Sequence, residues 1–259
     1  MKYFIDTEFI EEPNTIQLIS IGIVAEDGRE YYAISKDFDL RKVWNDDWLR
    51  QNVLLSLHSQ MCEWLPVYDK TNHYNRFMPF NRKSIANLLK KYGTLNEKIA
   101  EGIIDFINTR KDNFGYGIGL DAVIASLTRA DCWNETFYPR EFEYIKKHNT
   151  FIPENIYSSG FDGAGYEKNR EIIYNQPEFY GYFADYDWVV FCWLFGKMKN
   201  LPKGFPMYCR DIKQMLDANA LTENWKRENL PDPEGEHNAL TDARWNKQLY
   251  DKIIYFINH

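Results

Sequence analysis

Two strand-like runs meet at Asp27-Gly28, and this junction constrains the chain more than any other feature. Ile16 to Val24 is rich in Ile, and Arg29 to Ile34 follows it. Asp-Gly between two such runs signals a hairpin, because the turn needs positive φ. Ahead of it, residues 2–8 read KYFIDTE, a short apolar run ending in acids. Tyr3, Phe4 and Ile5 suit a buried strand, with Asp6 at its C-terminal end. The chain is therefore expected to open with three strands, the last two paired as a hairpin.

Further along, the pattern alternates. Residues 36–81 are mixed, and only fragments of helix are expected there. Ile85 to Tyr92 and Ile99 to Ile107 carry helical spacing of apolar residues. Phe179 to Ala184 reads as a strand, and Trp188 to Phe195 as a helix closed by Gly196. Pro206 to Arg210 is a short strand candidate, and Asp211 is a plain N-cap for the helix IKQMLDANA. A polar loop, Pro231 to Glu236, precedes a long helix from Ala239 to Ile257. Strands first and then strands alternating with helices predict an α/β fold with a mixed sheet. Residues 109–176 are less regular and are expected to form an insertion in a single domain, 1–259. The glycine-bearing stretches at 115–119 and 160–165 lack the Gly-Lys-Ser/Thr ending of a phosphate loop and are read as loops.

Composition narrows the function classes. With 38 Asp+Glu against 31 Lys+Arg the net charge is -7, so no global basic field attracts nucleic acid. That balance still allows a nucleic-acid enzyme whose carboxylates hold cations. The longest apolar stretch, Trp188 to Phe195, is too short to span a bilayer, so no membrane partner is expected. The N-terminus, MKYFIDTEF, does not read as a signal peptide. Cys62, Cys132, Cys192 and Cys209 are scattered, which argues against a disulfide scaffold or cysteine-based zinc site. A reducing, cytoplasmic setting is the simplest expectation.

Several residues carry chemistry. Asp6 and Glu8, two apart on a strand, share one face. Two adjacent carboxylates repel each other unless a cation sits between them, and hard oxygen ligands suit Mg²⁺ or Mn²⁺. The plain alternative is two exposed acids past a strand end. Asp242 shares its helix face with Asn246, Leu249 and Ile253, which places a carboxylate on a mostly apolar, inward stripe. A helix-start acid favouring the macrodipole is the plain alternative. Asp187 sits where a strand hands over to a helix and could equally be an N-cap, as could Asp185. His237 lies five residues before Asp242, a loop histidine or a general base near neutral pH.

As an ordered set these residues resemble the DEDDh group of 3′–5′ exonucleases, whose motifs are DxE, (F/Y)D and HxAxxD. Here they read Asp6-Thr-Glu8, Tyr186-Asp187 and His237-Asn-Ala-Leu-Thr-Asp242. The chain most resembles the bacterial polyadenylate-preferring exoribonuclease AS family, through YFIDTEFIE at 3–11, IQLISIGIVAEDGREYYAIS at 16–35, ADYDWVVFCWLFG at 184–196 and HNALTDARW at 237–245. Residues 109–176 have no counterpart in it. The resemblance implies a ribonuclease H-like α/β domain, a mixed five-stranded sheet flanked by helices. It implies two Mg²⁺, with Mn²⁺ as a substitute, on Asp6, Glu8, Asp187 and Asp242, and His237 as the general base. The implied substrate is the 3′ end of single-stranded RNA, trimmed to nucleoside 5′-monophosphates, and the family likeness extends to a homodimer. Thr7, Phe9 and Trp188 are the candidate substrate contacts. Phe9 and Trp188 could stack terminal bases or pack in the core. DNA as substrate and a catalytically silent nucleic-acid-binding domain of the same fold are the competing expectations.

Overall fold

The computed structural model describes residues 1–65, 78–108, 176–233 and 237–259. The chain divides into two compact units, Met1–Phe106 with Tyr174–His259, and Ile107–Ile173. The first unit carries the sheet and every candidate site residue. The insertion expected at about 109–176 lies, apart from Gln176, outside the described residues.

Five strands form one sheet: β1 (Lys2–Glu12), β2 (Thr15–Ala25), β3 (Glu30–Ile34), β4 (Glu178–Gly181) and β5 (Arg210–Asp211). Their order is β3-β2-β1-β4-β5. β1 pairs antiparallel with β2 and parallel with β4, β2 pairs antiparallel with β3, and β4 pairs parallel with β5. This is the mixed, helix-flanked α/β sheet expected for a ribonuclease H-like fold. The β2–β3 hairpin forms where Asp27-Gly28 predicts it, but as a three-residue loop. Ala25 N donates to Arg29 O at 2.8 Å, and Gly28 alone takes positive φ, 83°. A second hairpin joins β1 to β2 through Pro13-Asn14, with Asn14 at φ 63°. β1 runs well past Asp6, so Asp6 is a mid-strand residue opposite Gly22. A bulge between Glu8 and Phe9 shifts the register beyond the two acids.

Helices flank the sheet. One group is α1 (Leu40–Asn45), α2 (Asp47–Leu49), a π turn (Arg50–Leu54), α3 (Leu55–Glu63) and α4 (Arg82–Tyr92). Val43, Val53, Leu54, Leu57, Met61, Ile85 and Leu88 pack there with Ile10, Ile19 and Ile34 of the sheet. Residues 40–63 are thus almost wholly helical, where the sequence pattern predicts only fragments. Asp39 and Asp46 cap the first two helices through backbone N–H groups, signals that the surrounding Trp and Asn residues obscure. α5 (Asn96–Asn108) follows, and Arg29 reaches the carbonyl of Phe106 on it at 2.7 Å. After β4 come α6 (Asp185–Leu194), α7 (Ile212–Ala218), α8 (Glu223–Asn229) and α9 (Ala239–Asn258). No helix among the described residues is long and apolar enough to cross a membrane.

The second core joins α7 and α9 to Phe4, Val24 and Tyr180. Asn246, Leu249 and Ile253 of α9 are buried, as their shared face with Asp242 predicts. Burying Leu249 and Ile253 contributes roughly 1.5–3 kcal/mol each. Asn246 is the polar member of this stripe, and its Nδ2 donates to Ile5 O at 2.9 Å, one residue before Asp6.

The start of α9 rests directly on the β2 backbone. A Cβ added at Gly22 would lie 2.2 Å from Ala239 O and 2.5 Å from Leu240 Cα. Only a residue without a side chain lets the helix come this close. Because Gly22 is also the cross-strand partner of Asp6, the same contact brings the first turn of α9 over the Asp6 position. Gly22→Ala should therefore lower the urea-unfolding free energy by about 1–3 kcal/mol, the usual cost of overpacking. An alanine variant as stable as the parent would mean that α9 is free to lift from the sheet.

Candidate active site

Asp6 and Glu8 lie on one face of β1, as their spacing requires, and α9 delivers Asp242 to them. One carboxylate oxygen from each of Asp6, Glu8 and Asp242 lies within 4.8 Å of the others. Such an approach of three acids, with Glu8 only 8% exposed, is electrostatically costly. Burial, followed by the neighbouring Asp242 and Asp187 carboxylates, pushes Glu8 up to about 8. Burial, Asp187, Glu8 and Asp242 hold the Asp6 carboxyl well above the usual carboxylate range.

Asp187 of α6 is buried and close enough to raise Asp6 and Glu8, but it is not among the three acids whose oxygens lie within 4.8 Å of one another. β1 and β4 pair only from Lys2 to Phe4, so the later N–H groups on that side of β1 need another acceptor. Asp187 supplies it. Its Oδ1 accepts from Thr7 N at 2.9 Å and from Thr7 Oγ1 at 2.5 Å. Burial still pushes Asp187 up to about 6, against the lowering effect of those bonds. Asp187 does not cap α6, whose N-cap is Ala184. Asp211 is the N-cap of α7, as expected, and its other oxygen also accepts from Ala184 N at 3.1 Å. It thereby ties the entry of α6 to the sheet edge.

Asp242 is held by backbone donors. Its Oδ2 accepts from His237 N at 3.0 Å and Asn238 N at 3.2 Å. Asn238 is the N-cap of α9, and its Nδ2 donates to Gln60 Oε1 of α3 at 2.8 Å. His237 takes φ 66°, a conformation that costs a non-glycine residue energy and recurs at functional sites. Its ring meets Trp48 of α2 edge-on, with centroids 4.7 Å apart. A cleft of about 200 Å³ is lined by Asp6, His237 and Asp242, and by Tyr182, Lys226, Asp232, Pro233, Trp245 and Asn246.

The three residues expected to touch substrate fall in different places. Thr7 is buried and spends its hydroxyl on Asp187, so it positions that carboxylate. Phe9 is half-buried, 6.0 Å between centroids from the exposed Tyr186 ring. Trp188 is buried, stacked on Phe191 at 4.9 Å and packed against Phe179, so core packing accounts for it. Sequence reasoning missed Asn238, although Asn before a helix is an N-cap signal. It also missed Tyr182, Lys226 and Trp245, which carry no local pattern and meet only through the fold.

Comparison with known proteins finds no matching family model. The chain is similar to proteins named 3′-5′ exoribonuclease from Mycobacterium tuberculosis, strains CDC 1551 and H37Rv, at 60% identity over 57 residues. Those residues are 22% of this chain, and the match spans 33% of each relative's length.

The raised carboxylates have a consequence for stability. Glu8 keeps its proton in the folded chain up to about 8, whereas its ordinary value is 4.5. The stability this contributes is full below about pH 4.5 and is lost as pH rises through 8. The urea midpoint of the metal-free protein should fall between pH 5 and pH 8. Glu8→Gln, which does not ionise, should flatten part of that fall and be more stable than the parent at pH 8 by on the order of a few kcal/mol. A variant less stable than the parent at pH 8 would show that Glu8 is not repelled by its neighbours.

Proposed function

We propose that this chain is a metal-dependent 3′–5′ exoribonuclease of the DEDDh type, acting on the 3′ end of single-stranded RNA and releasing nucleoside 5′-monophosphates. The observation that carries this reading is the convergence of Asp6, Glu8 and Asp242 from opposite ends of the chain, their oxygens within 4.8 Å despite mutual repulsion. Gathering three acids opposes folding unless a cation offsets their charge, and oxygen donors at this spacing suit hard divalent cations. The name of the two mycobacterial relatives supports the same chemistry.

Asp6, Glu8, Asp187 and Asp242 would hold two Mg²⁺, or Mn²⁺ in their place. When bound, such ions offset the charge of a phosphodiester and steady the attacking and leaving oxygens of an in-line displacement. The chain's own part is positional and acid–base. Thr7 fixes one oxygen of Asp187 and leaves the other available to a cation. The His237 and Asn238 N–H groups fix Oδ2 of Asp242. That bond also sets His237 beside the carboxylates, where a ring nitrogen accepts the proton of the attacking water. His237 is a base and not a metal ligand in this reading, because four carboxylates already supply the oxygens that Mg²⁺ prefers.

Labelled RNA and DNA strands, blocked at the 3′ or the 5′ terminus, test the reaction. RNA with an open 3′ end should be trimmed to 5′-monophosphates in Mg²⁺, and a 3′ block or a chelator should stop it. Rapid cleavage of a circular RNA, or digestion indifferent to chelation, would overturn the assignment, and faster loss of DNA would change its substrate. Within the site, His237→Ala should lower turnover by roughly 10²–10⁴-fold while Mn²⁺ binding by calorimetry stays nearly intact. Asp242→Asn should weaken Mn²⁺ binding itself. A His237→Ala enzyme within a few-fold of the parent would remove histidine from the reaction.

A further inference from the structure

The cleft is lined by residues of two kinds, Asp6, His237 and Asp242, and with them Tyr182 just past β4, Lys226 of α8 and Trp245 of α9. Lys226 is the one lysine or arginine among the described residues that line the cleft. Its position is unusual for a lysine, since it is only 9% exposed.

Aromatic rings hold the ammonium in place. Lys226 Nζ lies 5.0 Å from the Tyr182 ring centroid and 5.5 Å from that of Trp245. It donates to Tyr182 Oη at 3.2 Å. The two rings stand nearly perpendicular, at 86°, with centroids 5.3 Å apart. Trp245 is itself pinned, its Nε1 donating to Pro231 O at 3.0 Å. A lysine normally keeps its charge mobile in water, and here the charge is fixed by packing. Its carboxylate partner is the weak part of the arrangement. Glu223 Oε2 lies 2.9 Å from Nζ, but that side chain is 49% exposed and three residues away on the same helix. The carboxylate reaches Lys226 from the solvent side, so an anion entering the cleft competes with it for the ammonium.

A buried ammonium with a half-exposed counter-ion, lining the same cleft as Asp6 and Asp242, suits an anionic ligand. We propose that Lys226 is a phosphate-binding residue of the cleft, oriented by Tyr182 and Trp245, and that it contacts a phosphate group of the nucleotide strand. This rests on the exoribonuclease reading of the site. In this arrangement Lys226 supplies affinity for phosphate as a point charge, separate from proton transfer at His237.

The test compares uridine 5′-monophosphate with uridine, titrated calorimetrically in Mg²⁺ against the parent, Lys226→Met and Lys226→Arg. Methionine retains an apolar stem to fill the space between the rings, and the thermal midpoint of each variant reports on folding. The parent should bind the nucleotide at least tenfold more tightly than the nucleoside. Lys226→Met should lose about tenfold in nucleotide affinity and nothing in nucleoside affinity, and Lys226→Arg should recover most of the loss. A parent that does not prefer the nucleotide would overturn the proposal. So would a Lys226→Met protein that binds the nucleotide within twofold of the parent, or one that loses both ligands equally, as a purely structural staple would. Digestion of RNA by the parent, assayed alongside, reports separately on the exoribonuclease reading. A parent that trims RNA while Lys226→Met binds nucleotide normally would leave that reading standing and remove only Lys226.

Discussion

The arrangement of this chain depends on the contact between Gly22 and the first turn of α9. A helix can approach a sheet this closely only where the sheet presents bare backbone, and β2 does so opposite Asp6. From that contact follow the position of Asp242, the seat of Asn238, and the burial of Asn246, Leu249 and Ile253 further down the helix. Asn246 then bonds to Ile5 O and fixes the rotation of α9 about its own axis, so that the carboxylate one turn earlier points to the strand acids.

The site works against the stability that this packing supplies. Like charges are gathered where water is scarce, and their proton affinities rise as a result. The chain offsets part of this cost with backbone donors: Thr7 N for Asp187, and His237 N and Asn238 N for Asp242. These donors come from a strand whose neighbour ends early and from a loop strained to positive φ. In both places the ordinary backbone pairing is absent, and a carboxylate takes it up.

Much of this is legible in the sequence, for physical reasons that differ between residues. The α9 stripe is readable because helical spacing separates an inward acid from a surface one, and the buried Asn246, Leu249 and Ile253 follow it. Asp6-x-Glu8 is readable as a shared face, but the length of β1 is not, since the acids look like a strand end when they are its middle. The Pro13-Asn14 turn is a fainter signal than Asp27-Gly28, because no glycine marks its positive φ. Trp188 is ambiguous in principle, because an aromatic beside a motif residue packs or stacks according to helix rotation, which its neighbours decide. The helices of 40–63 are hardest to see, yet Trp48 and Gln60 on them hold His237 and Asn238 in place. Such long-range support leaves no local pattern.

The carboxylates at 6 and 8 meet Asp242 only when distant parts of the chain have come together. Pairings of this sequence separation are slow to form, because loop closure is opposed by entropy before any contact rewards it. During synthesis the N-terminal hairpins can assemble early, while the acids on β1 remain exposed to water, which screens the repulsion between them. The charge cluster is complete only when α9 docks on Gly22, so the gathering of the three acids waits on the helix that carries Asp242. A growing chain that has not reached residue 242 therefore has the strands of the sheet and three of the four acids, Asp6, Glu8 and Asp187, but no complete site. For a nuclease of the proposed kind, this order of assembly keeps an incomplete chain from acting on RNA nearby.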